Sequence, residues 1–138
     1  MTRGAIDHVG IVVRSIREAL PRYAQLLGLV PDGEPVSLAG QRVRLAFLPT
    51  GPGNAARIEL VEPLDGEGGV ARFLAERGEG LHHVCFASTD LRADLAALAL
   101  HGSELIDTEP RAGAHGLIAF VHPRTLNGVL WELQQEKP

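Results

Sequence analysis

One pattern occurs twice in this sequence, and it constrains the fold more than any other feature. In each copy a histidine opens an apolar strand pattern, and a glutamate lies in another strand pattern about fifty residues later. His8 and Glu59 are 51 residues apart in the first copy, and His83 and Glu132 are 49 residues apart in the second. Charged groups on strands this apolar are costly to bury without a partner. We therefore expect the four side chains to share one partner, and a divalent metal ion fits that role.

The elements around each copy have the same order. An alternating strand is followed by a helix and then by further strands, so each half is predicted to be β-α-β-β-β. Ser15 and Glu18 form a capping box at the start of the first helix, and Gly28 ends it. Asp90 is a good N-cap for the second. Strands are predicted at residues 5–13, 41–48 and 56–61 in the first half and at 81–88, near 103–107, 117–122 and 128–135 in the second.

We predict an α+β fold in which two tandem βαβββ modules form a curved mixed sheet around a metal-centred cavity. One module alone would leave a sheet face bare, so two copies must pack together to make a stable core. The 138 residues match the usual size of one domain. Residues 1–138 are therefore predicted to be a single domain, with module one at about 5–63, a linking helix at about 69–78 and module two at about 81–135.

Composition excludes several classes of function. The formal net charge of −4 gives no support for binding to nucleic acid or to an anionic membrane. No apolar run reaches the length of a bilayer span, and no signal-peptide pattern is present. Cys85 is the only cysteine, which fits a reducing compartment. We expect a cytoplasmic protein without nucleic-acid or membrane partners.

The four side chains form a set of two imidazoles and two carboxylates. This set suits borderline divalent ions, and structural zinc would be expected to use cysteines instead. His82 and His83 face opposite sides of one strand, and the match between the two copies selects His83 as the ligand. A bound ion with open positions would polarise a substrate carbonyl and acidify the neighbouring C–H. The chemistry predicted is proton abstraction next to a carbonyl.

The sequence resembles the vicinal-oxygen-chelate superfamily, which includes glyoxalase I, bleomycin-resistance proteins and ring-cleaving dioxygenases. The resemblance extends from Ile6 to about Gln134, and within the superfamily it is nearest to methylmalonyl-CoA epimerases. The stretches that carry it are Ile6–Ile11, Glu18–Tyr23, Leu26–Leu29, Ala46–Pro49, Ile58–Pro63, Gly78–Val84, Glu109–Gly116, His122–Pro123 and Asn127–Leu133. The Leu-His-His and Gly-Ala-His-Gly stretches are more specific evidence for this resemblance than the general pattern of the four ligands.

The resemblance implies a metal-dependent epimerase that interconverts (R)- and (S)-methylmalonyl-CoA by C2 proton abstraction through a metal-stabilised enolate. The implied ligands are His8, Glu59, His83 and Glu132, with cobalt as the first expectation and nickel, manganese or zinc as alternatives. Glu132 would be one acid/base. Some family members have a further glutamate before the Phe-Leu-Pro-like turn, where this sequence has Arg44, so Glu59 is the candidate for the second base. The resemblance also implies an acyl-CoA substrate and a homodimer.

Three residues of module two are candidates for substrate binding. His115 and Gly113 belong to a glycine-rich loop that could approach a ligand closely or form a plain turn. Arg111 could contact coenzyme A phosphates or remain solvated. Two other functions stay open: a glyoxalase I-type lactoylglutathione lyase, and a non-catalytic protein that binds small molecules and confers drug resistance. A ring-cleaving dioxygenase is disfavoured because its iron takes only one carboxylate.

Overall fold

The computed structural model describes all 138 residues, from Met1 to Pro138. They form two compact units, which we call the N-terminal unit (His8–His82) and the C-terminal unit (Met1–Asp7 with His83–Pro138). The helices are α1 (Ile16–Leu27), α2 (Gly69–Arg77) and α3 (Leu91–Leu100). The strands are β1 (Arg3–Val12), β2 (Val36–Leu38), β3 (Val43–Leu48), β4 (Arg57–Pro63), β5 (Gly80–Ser88), β6 (Arg111–Ala112), β7 (Gly116–Val121) and β8 (Trp131–Glu136).

The sheet of the N-terminal unit has the strand order β2-β3-β4-β1. The His8–Val12 part of β1 runs parallel to β4, while β3 is antiparallel to both β4 and β2. One sheet face packs against α1. The residues of that core are Val13, Ile16, Ala46, Leu48 and Leu60, with Ile11, Ala19, Leu20, Tyr23, Leu29 and Ile58 beside them. Side chains that alternate with these residues along β3 and β4 lie on the opposite face, which carries His8 and Glu59.

Helix α1 begins and ends where the sequence predicts. The Ser15 hydroxyl accepts a hydrogen bond of 3.1 Å from the Glu18 backbone N–H, and Glu62 accepts another of 2.8 Å from the N–H of Ile16. Both bonds satisfy amide groups that a helix start otherwise leaves exposed. Gly28 ends the helix in the left-handed conformation, with φ of 67°.

The C-terminal unit repeats this arrangement with the strand order β5-β8-β7-β6. The Val84–Ala87 part of β5 runs parallel to β8, and β7 is antiparallel to β8 and β6. Helix α3 covers one face. The core there consists of Leu91, Leu95, Ala119 and Leu133, with Phe86, Leu98 and Leu105 packed against it. His83 and Glu132 lie on the other face.

A buried carboxylate in α3 binds the start of the chain. Asp94 is fully buried and accepts hydrogen bonds from the Thr2 N–H (2.6 Å), the Thr2 hydroxyl (2.9 Å) and the Ser88 hydroxyl (2.7 Å). Burial by itself would raise the pKa of Asp94, but these hydrogen bonds outweigh it and the pKa lies below its ordinary value. Asp94 therefore stays ionised and stabilises the packing of the N-terminal segment in this unit.

The predicted βαβββ order is confirmed in both modules, although β2 (Val36–Leu38) lies outside the three strand ranges predicted for the first half. The strand predicted near 103–107 is wrong. Leu105 makes only an isolated bridge with Val121, and the N–H groups of Ile106 and Asp107 both donate to the Phe120 carbonyl, so the chain bends there instead of extending a ladder. The strand at that place in the module is β6, at Arg111–Ala112. None of the helices has the length and apolarity that crossing a membrane would require.

Candidate functional site

The first histidine and glutamate form a buried pair inside the N-terminal unit. The Nε2 of His8 lies 3.3 Å from an Oε of Glu59, and the two residues are 0% and 6% exposed. Strand pairing brings them together, since Gly10 of β1 is the partner of Glu59 in β4 and His8 precedes Gly10 by two residues on the same face.

The second pair repeats this geometry inside the C-terminal unit. The Nε2 of His83 lies 3.6 Å from an Oε of Glu132, and both residues are buried. The register is also the same, because Cys85 of β5 is the partner of Glu132 in β8 and His83 precedes Cys85 by two residues. The repeat seen in the sequence is therefore a repeat of two imidazole–carboxylate pairs in one strand register.

These residues suit a metal ion. Imidazole nitrogen and carboxylate oxygen are ordinary ligands of divalent transition metals. Each pair consists of ionisable groups removed from water, where a cation would offset the cost of burial. His83 and Glu132 are among the buried side chains whose donor atoms are close enough to share one ion. The pairs can bind a metal ion.

A phenylalanine adjoins each pair, and sequence reasoning did not identify either one as part of a site. Phe47 lies directly opposite Glu59 in the β3–β4 pairing, and its ring meets His8 edge-on at 6.2 Å. Phe120 lies opposite Glu132 in the β7–β8 pairing, and its ring meets His83 edge-on at 5.8 Å. A signal was present in the sequence, since both residues occur shortly before a proline at the end of a strand.

An arginine lies over each of these rings. The Arg57 guanidinium is 4.7 Å from the centre of the Phe47 ring, and the Arg111 guanidinium is 5.3 Å from that of Phe120. Arg111 also forms an ion pair of 3.3 Å with Asp107. The predicted substrate-binding residue Arg111 thus contacts the aromatic neighbour of His83. Arg57 was not predicted.

Arg44, which stands where some family members have a further glutamate, is not on the sheet face that carries Glu59. It is the cross-strand partner of Glu62, with 3.9 Å between the charged groups, and it is three residues before Phe47. Because alternate residues of a strand face opposite sides, Arg44 lies on the sheet face opposite Glu59. A side chain at position 44 is therefore not where a second base would be. Leu45 shares the face of Glu59 and is buried, but it has no acid/base group.

The loop that carries His115 depends on its glycines. The Gly113 N–H donates a hydrogen bond of 2.7 Å to the Gly116 carbonyl. A Cβ on Gly113 would lie 2.7 Å from the Ile118 side chain, and one on Gly116, whose φ is 151°, would lie 2.1 Å from the Gln135 carbonyl oxygen. Packing against Ile118 therefore accounts for a glycine at position 113. The half-buried His115 is held in a tight turn.

The chain is similar to several known proteins over most of its length. The family model of the Glyoxalase/Bleomycin resistance protein/Dioxygenase superfamily matches residues 7–120. An uncharacterised Bacillus subtilis protein, YqjC, is 41% identical over 133 residues, which cover 96% of this chain and 92% of that protein. The ethylmalonyl-CoA/methylmalonyl-CoA epimerase of Cereibacter sphaeroides is 36% identical over 139 residues, which cover 96% of this chain and 98% of that enzyme.

Among solved structures, a variant of Streptomyces coelicolor methylmalonyl-CoA epimerase in complex with 2-nitronate-propionyl-CoA matches with a TM-score of 0.91. The sequences are 33% identical, and the match covers 99% of both chains. The predicted fold class is confirmed by this likeness.

Proposed function

We propose that this chain, which belongs to the glyoxalase/bleomycin resistance protein/dioxygenase superfamily, is a metal-dependent epimerase that interconverts (R)- and (S)-methylmalonyl-CoA. It is an isomerase. The observation that carries the proposal is the buried histidine–glutamate pair, repeated in the same strand register in both units. The identity of 36% to an epimerase of ethylmalonyl-CoA and methylmalonyl-CoA supports this substrate class.

We propose that His8, Glu59, His83 and Glu132 together bind one divalent ion. The support is the burial of all four residues, the equal registers of the pairs and the absence of cysteine apart from Cys85. Cobalt is the first candidate, with nickel, manganese and zinc as alternatives, because nitrogen and oxygen ligands suit all of these ions. When bound, the ion would polarise the thioester carbonyl and make the C2 proton more acidic.

Glu132 and Glu59 are the acid/base residues of the proposal. One glutamate, as the carboxylate, takes the C2 proton from one face of the thioester, and the other, as the protonated acid, donates a proton to the opposite face, which inverts C2. Each carboxylate has a fixed orientation, since each lies beside its histidine and across from a phenylalanine. Phe47 and Phe120 are buried and would keep water from the reacting carbon.

The rest of the proposal concerns the residues that contact the acyl-CoA, the oligomeric state and the location of the protein. Arg111, Gly113 and His115 are proposed to contact the acyl-CoA, because Arg111 lies over the ring beside His83 and the loop is preformed. We expect a homodimer, as the resemblance implies, and a cytoplasmic location, as the single buried cysteine suggests.

The decisive experiment follows deuterium incorporation at C2 of methylmalonyl-CoA in D₂O by NMR. The full chain is used after removal of metal and again after addition of Co²⁺, with metal content measured alongside. Exchange that requires metal, together with interconversion of the epimers, is expected. Absence of exchange with every metal tested would overturn the proposal. Turnover of the glutathione–methylglyoxal adduct would then identify a glyoxalase I-type lyase, and inactivity there too would favour a binding protein.

The shared ion has its own test. Metal titration of the full chain should give one tightly bound ion per chain, and H8A and H83A should each weaken that binding strongly. Two independent ions, one lost in each variant, would show that the pairs are separate sites.

A further inference from the structure

Asp107 is a mostly buried carboxylate that the function proposed so far does not use. Its Oδ2 accepts a hydrogen bond of 2.8 Å from the Phe120 N–H, and its own N–H donates one of 3.2 Å to the Phe120 carbonyl. Its side chain is only 15% exposed. Asp107 is therefore fixed to strand β7 through both backbone groups of Phe120.

The other oxygen of Asp107 holds Arg111. The Nε of Arg111 lies 3.3 Å from Oδ1 of Asp107, and the guanidinium lies over the Phe120 ring at 5.3 Å. Phe120 thus sets the position of Arg111 twice, directly through its ring and indirectly through the N–H that binds Asp107. A guanidinium has five N–H donors, so one carboxylate oxygen near Nε leaves donors for a second oxyanion. The side chain of Arg111 is 43% exposed, so an oxyanion can reach those donors.

The ion pair of Asp107 and Arg111 has two opposing effects on anion binding. Asp107 lowers the net positive charge around Arg111, which by itself would weaken the attraction for an anion. It also immobilises the guanidinium, and a side chain that is already immobilised loses less rotamer freedom when it binds a ligand. The two effects predict opposite results when the charge of Asp107 is removed.

The position of Arg111 on the sheet relates it to the second pair. Arg111 is the Cα partner of Ile118 in the β6–β7 pairing, and Ile118 alternates with Phe120 on one sheet face. Phe120 lies directly opposite Glu132, and its ring meets His83 edge-on at 5.8 Å. The guanidinium is therefore on the sheet face that carries the second pair.

This position indicates which anion Arg111 binds. In the proposed reaction C2 of the thioester lies at Glu132, and the carboxylate of a malonyl-type thioester is attached directly to C2. The phosphates of coenzyme A are separated from C2 by the whole pantetheine arm. The geometry therefore favours the carboxylate as the anion beside Arg111.

We infer that Asp107 is a positioning residue, which holds the Arg111 guanidinium where it binds the carboxylate of a malonyl-type thioester. The inference rests on the proposed function for the identity of the substrate and the placement of C2. Arginine is suited to this role because its planar fork matches a carboxylate in shape and charge. The carboxylate is then bound on the Phe120 side of the second pair, which orients C2 relative to Glu132.

The test compares the binding of methylmalonyl-CoA with that of propionyl-CoA, which has the same tail and lacks the carboxylate. Calorimetry is done on the Co²⁺-loaded full chain with measured metal content. D107N removes the charge that faces Arg111 and keeps an oxygen that can accept from the Phe120 N–H. R111M keeps an unbranched stem and removes the cation, and the double variant D107N/R111M completes the cycle.

E104Q is the matched control for the loss of a carboxylate. Glu104 forms an ion pair of 2.7 Å with Arg124 in the same unit, and both side chains are exposed. That ion pair involves neither Arg111 nor Phe120. E104Q should therefore bind both thioesters as the wild type does.

R111M should weaken methylmalonyl-CoA binding by about tenfold to a hundredfold, the usual effect of losing a charge-assisted hydrogen bond. D107N should weaken it by about threefold to tenfold, because Arg111 must then be immobilised when the carboxylate binds. The double variant should match R111M within about twofold, since Asp107 acts through Arg111. Propionyl-CoA binding should change less than about twofold in every variant. In the exchange assay, D107N should raise KM more than it lowers kcat.

Three results would overturn the inference. Unchanged or tighter binding of methylmalonyl-CoA by D107N would show that Asp107 only offsets the charge of Arg111. Equal weakening of both thioesters would mean a general distortion of the segment or a phosphate on Arg111. Additive losses in the double variant would mean that Asp107 acts independently of Arg111.

This inference and the proposed function fail in different ways. A chain that prefers methylmalonyl-CoA through Asp107 and Arg111 but exchanges no C2 proton would overturn the epimerase and retain the carboxylate site. A chain that exchanges the proton with an unchanged preference in D107N would retain the epimerase and overturn the role of Asp107. A chain that binds neither thioester would overturn both.

Discussion

Glu132 lies directly across from Phe120 in the antiparallel pairing of β7 with β8, and the Phe120 ring meets the imidazole of His83 edge-on. Glu59 and Phe47 have the same relationship in the other unit. Directly opposed side chains of antiparallel strands contact on one face, so this register places an apolar ring against each carboxylate. The ring limits where the carboxylate can point and excludes water from one side of it.

Replacement of Glu132 by glutamine should reduce C2 proton exchange by at least about a hundredfold, because the amide cannot accept the proton. Metal binding should weaken as well, since a charged ligand is lost. NMR exchange rates and metal content are measured together. E136Q is the control, as Glu136 is an exposed residue of the same strand. Equal rates for E132Q and the wild type would remove Glu132 from the chemistry.

Replacement of Arg44 by glutamine should leave the exchange rate within about twofold of the wild type. Arg44 faces away from Glu59, and its contact with Glu62 is a partly exposed ion pair, which contributes little to stability. The rate is measured under conditions that saturate metal and substrate. A large drop for R44Q would mean that the face assigned to position 44 is wrong.

Replacement of Gly116 by alanine should destabilise the chain by about 2 kcal/mol or more, because the backbone conformation is strained for any other residue and the new Cβ meets the Gln135 carbonyl. Urea unfolding gives the free energy. G33A is the matched control, since no atom lies within 4 Å of its added Cβ and its φ is not in the left-handed region. Comparable stability of G116A and G33A would contradict the tight turn at residues 113–116.

Asp94 should make the stability of the chain depend on pH. Its pKa is lowered on folding, so its contribution is fully present above the ordinary value of 3.8 and is lost as the pH falls through the lower folded value. D94N should therefore cost about 2 kcal/mol at pH 7, the scale of hydrogen bonds to a charged group. The free energies of unfolding of D94N and the wild type, measured by urea at several pH values, should converge below pH 3.8. D90N, a change at the exposed N-cap residue of the same helix, is the control.

Much of the site could be predicted because its residues follow local rules. The alternation of β5 puts His82 and His83 on opposite sheet faces, and the match with His8 in the first copy of the pattern selects His83. Helix α1 ends at Gly28, as this glycine predicts. The contributions of Phe47, Phe120 and Arg57 were not visible, because each depends on which residue of another strand lies opposite.

The wrong strand prediction and one further missed contact also depend on residues in distant parts of the chain. The stretch predicted as a strand near 103–107 contains the apolar residues Leu105 and Ile106, but the N–H groups of Ile106 and Asp107 share the Phe120 carbonyl and no ladder forms. The link between Asp94 and Thr2 joins residues 92 positions apart, so no local pattern could indicate it.

The sequence by itself determined the α+β class, the repeated module and the four residues of the two pairs, because side-chain periodicity and capping act over a few residues. Only the tertiary structure decided that each glutamate faces a phenylalanine, that Arg44 turns away and that Arg57 lies beside His8. Those relationships depend on strand register, which is fixed by hydrogen bonds and packing between distant parts of the chain.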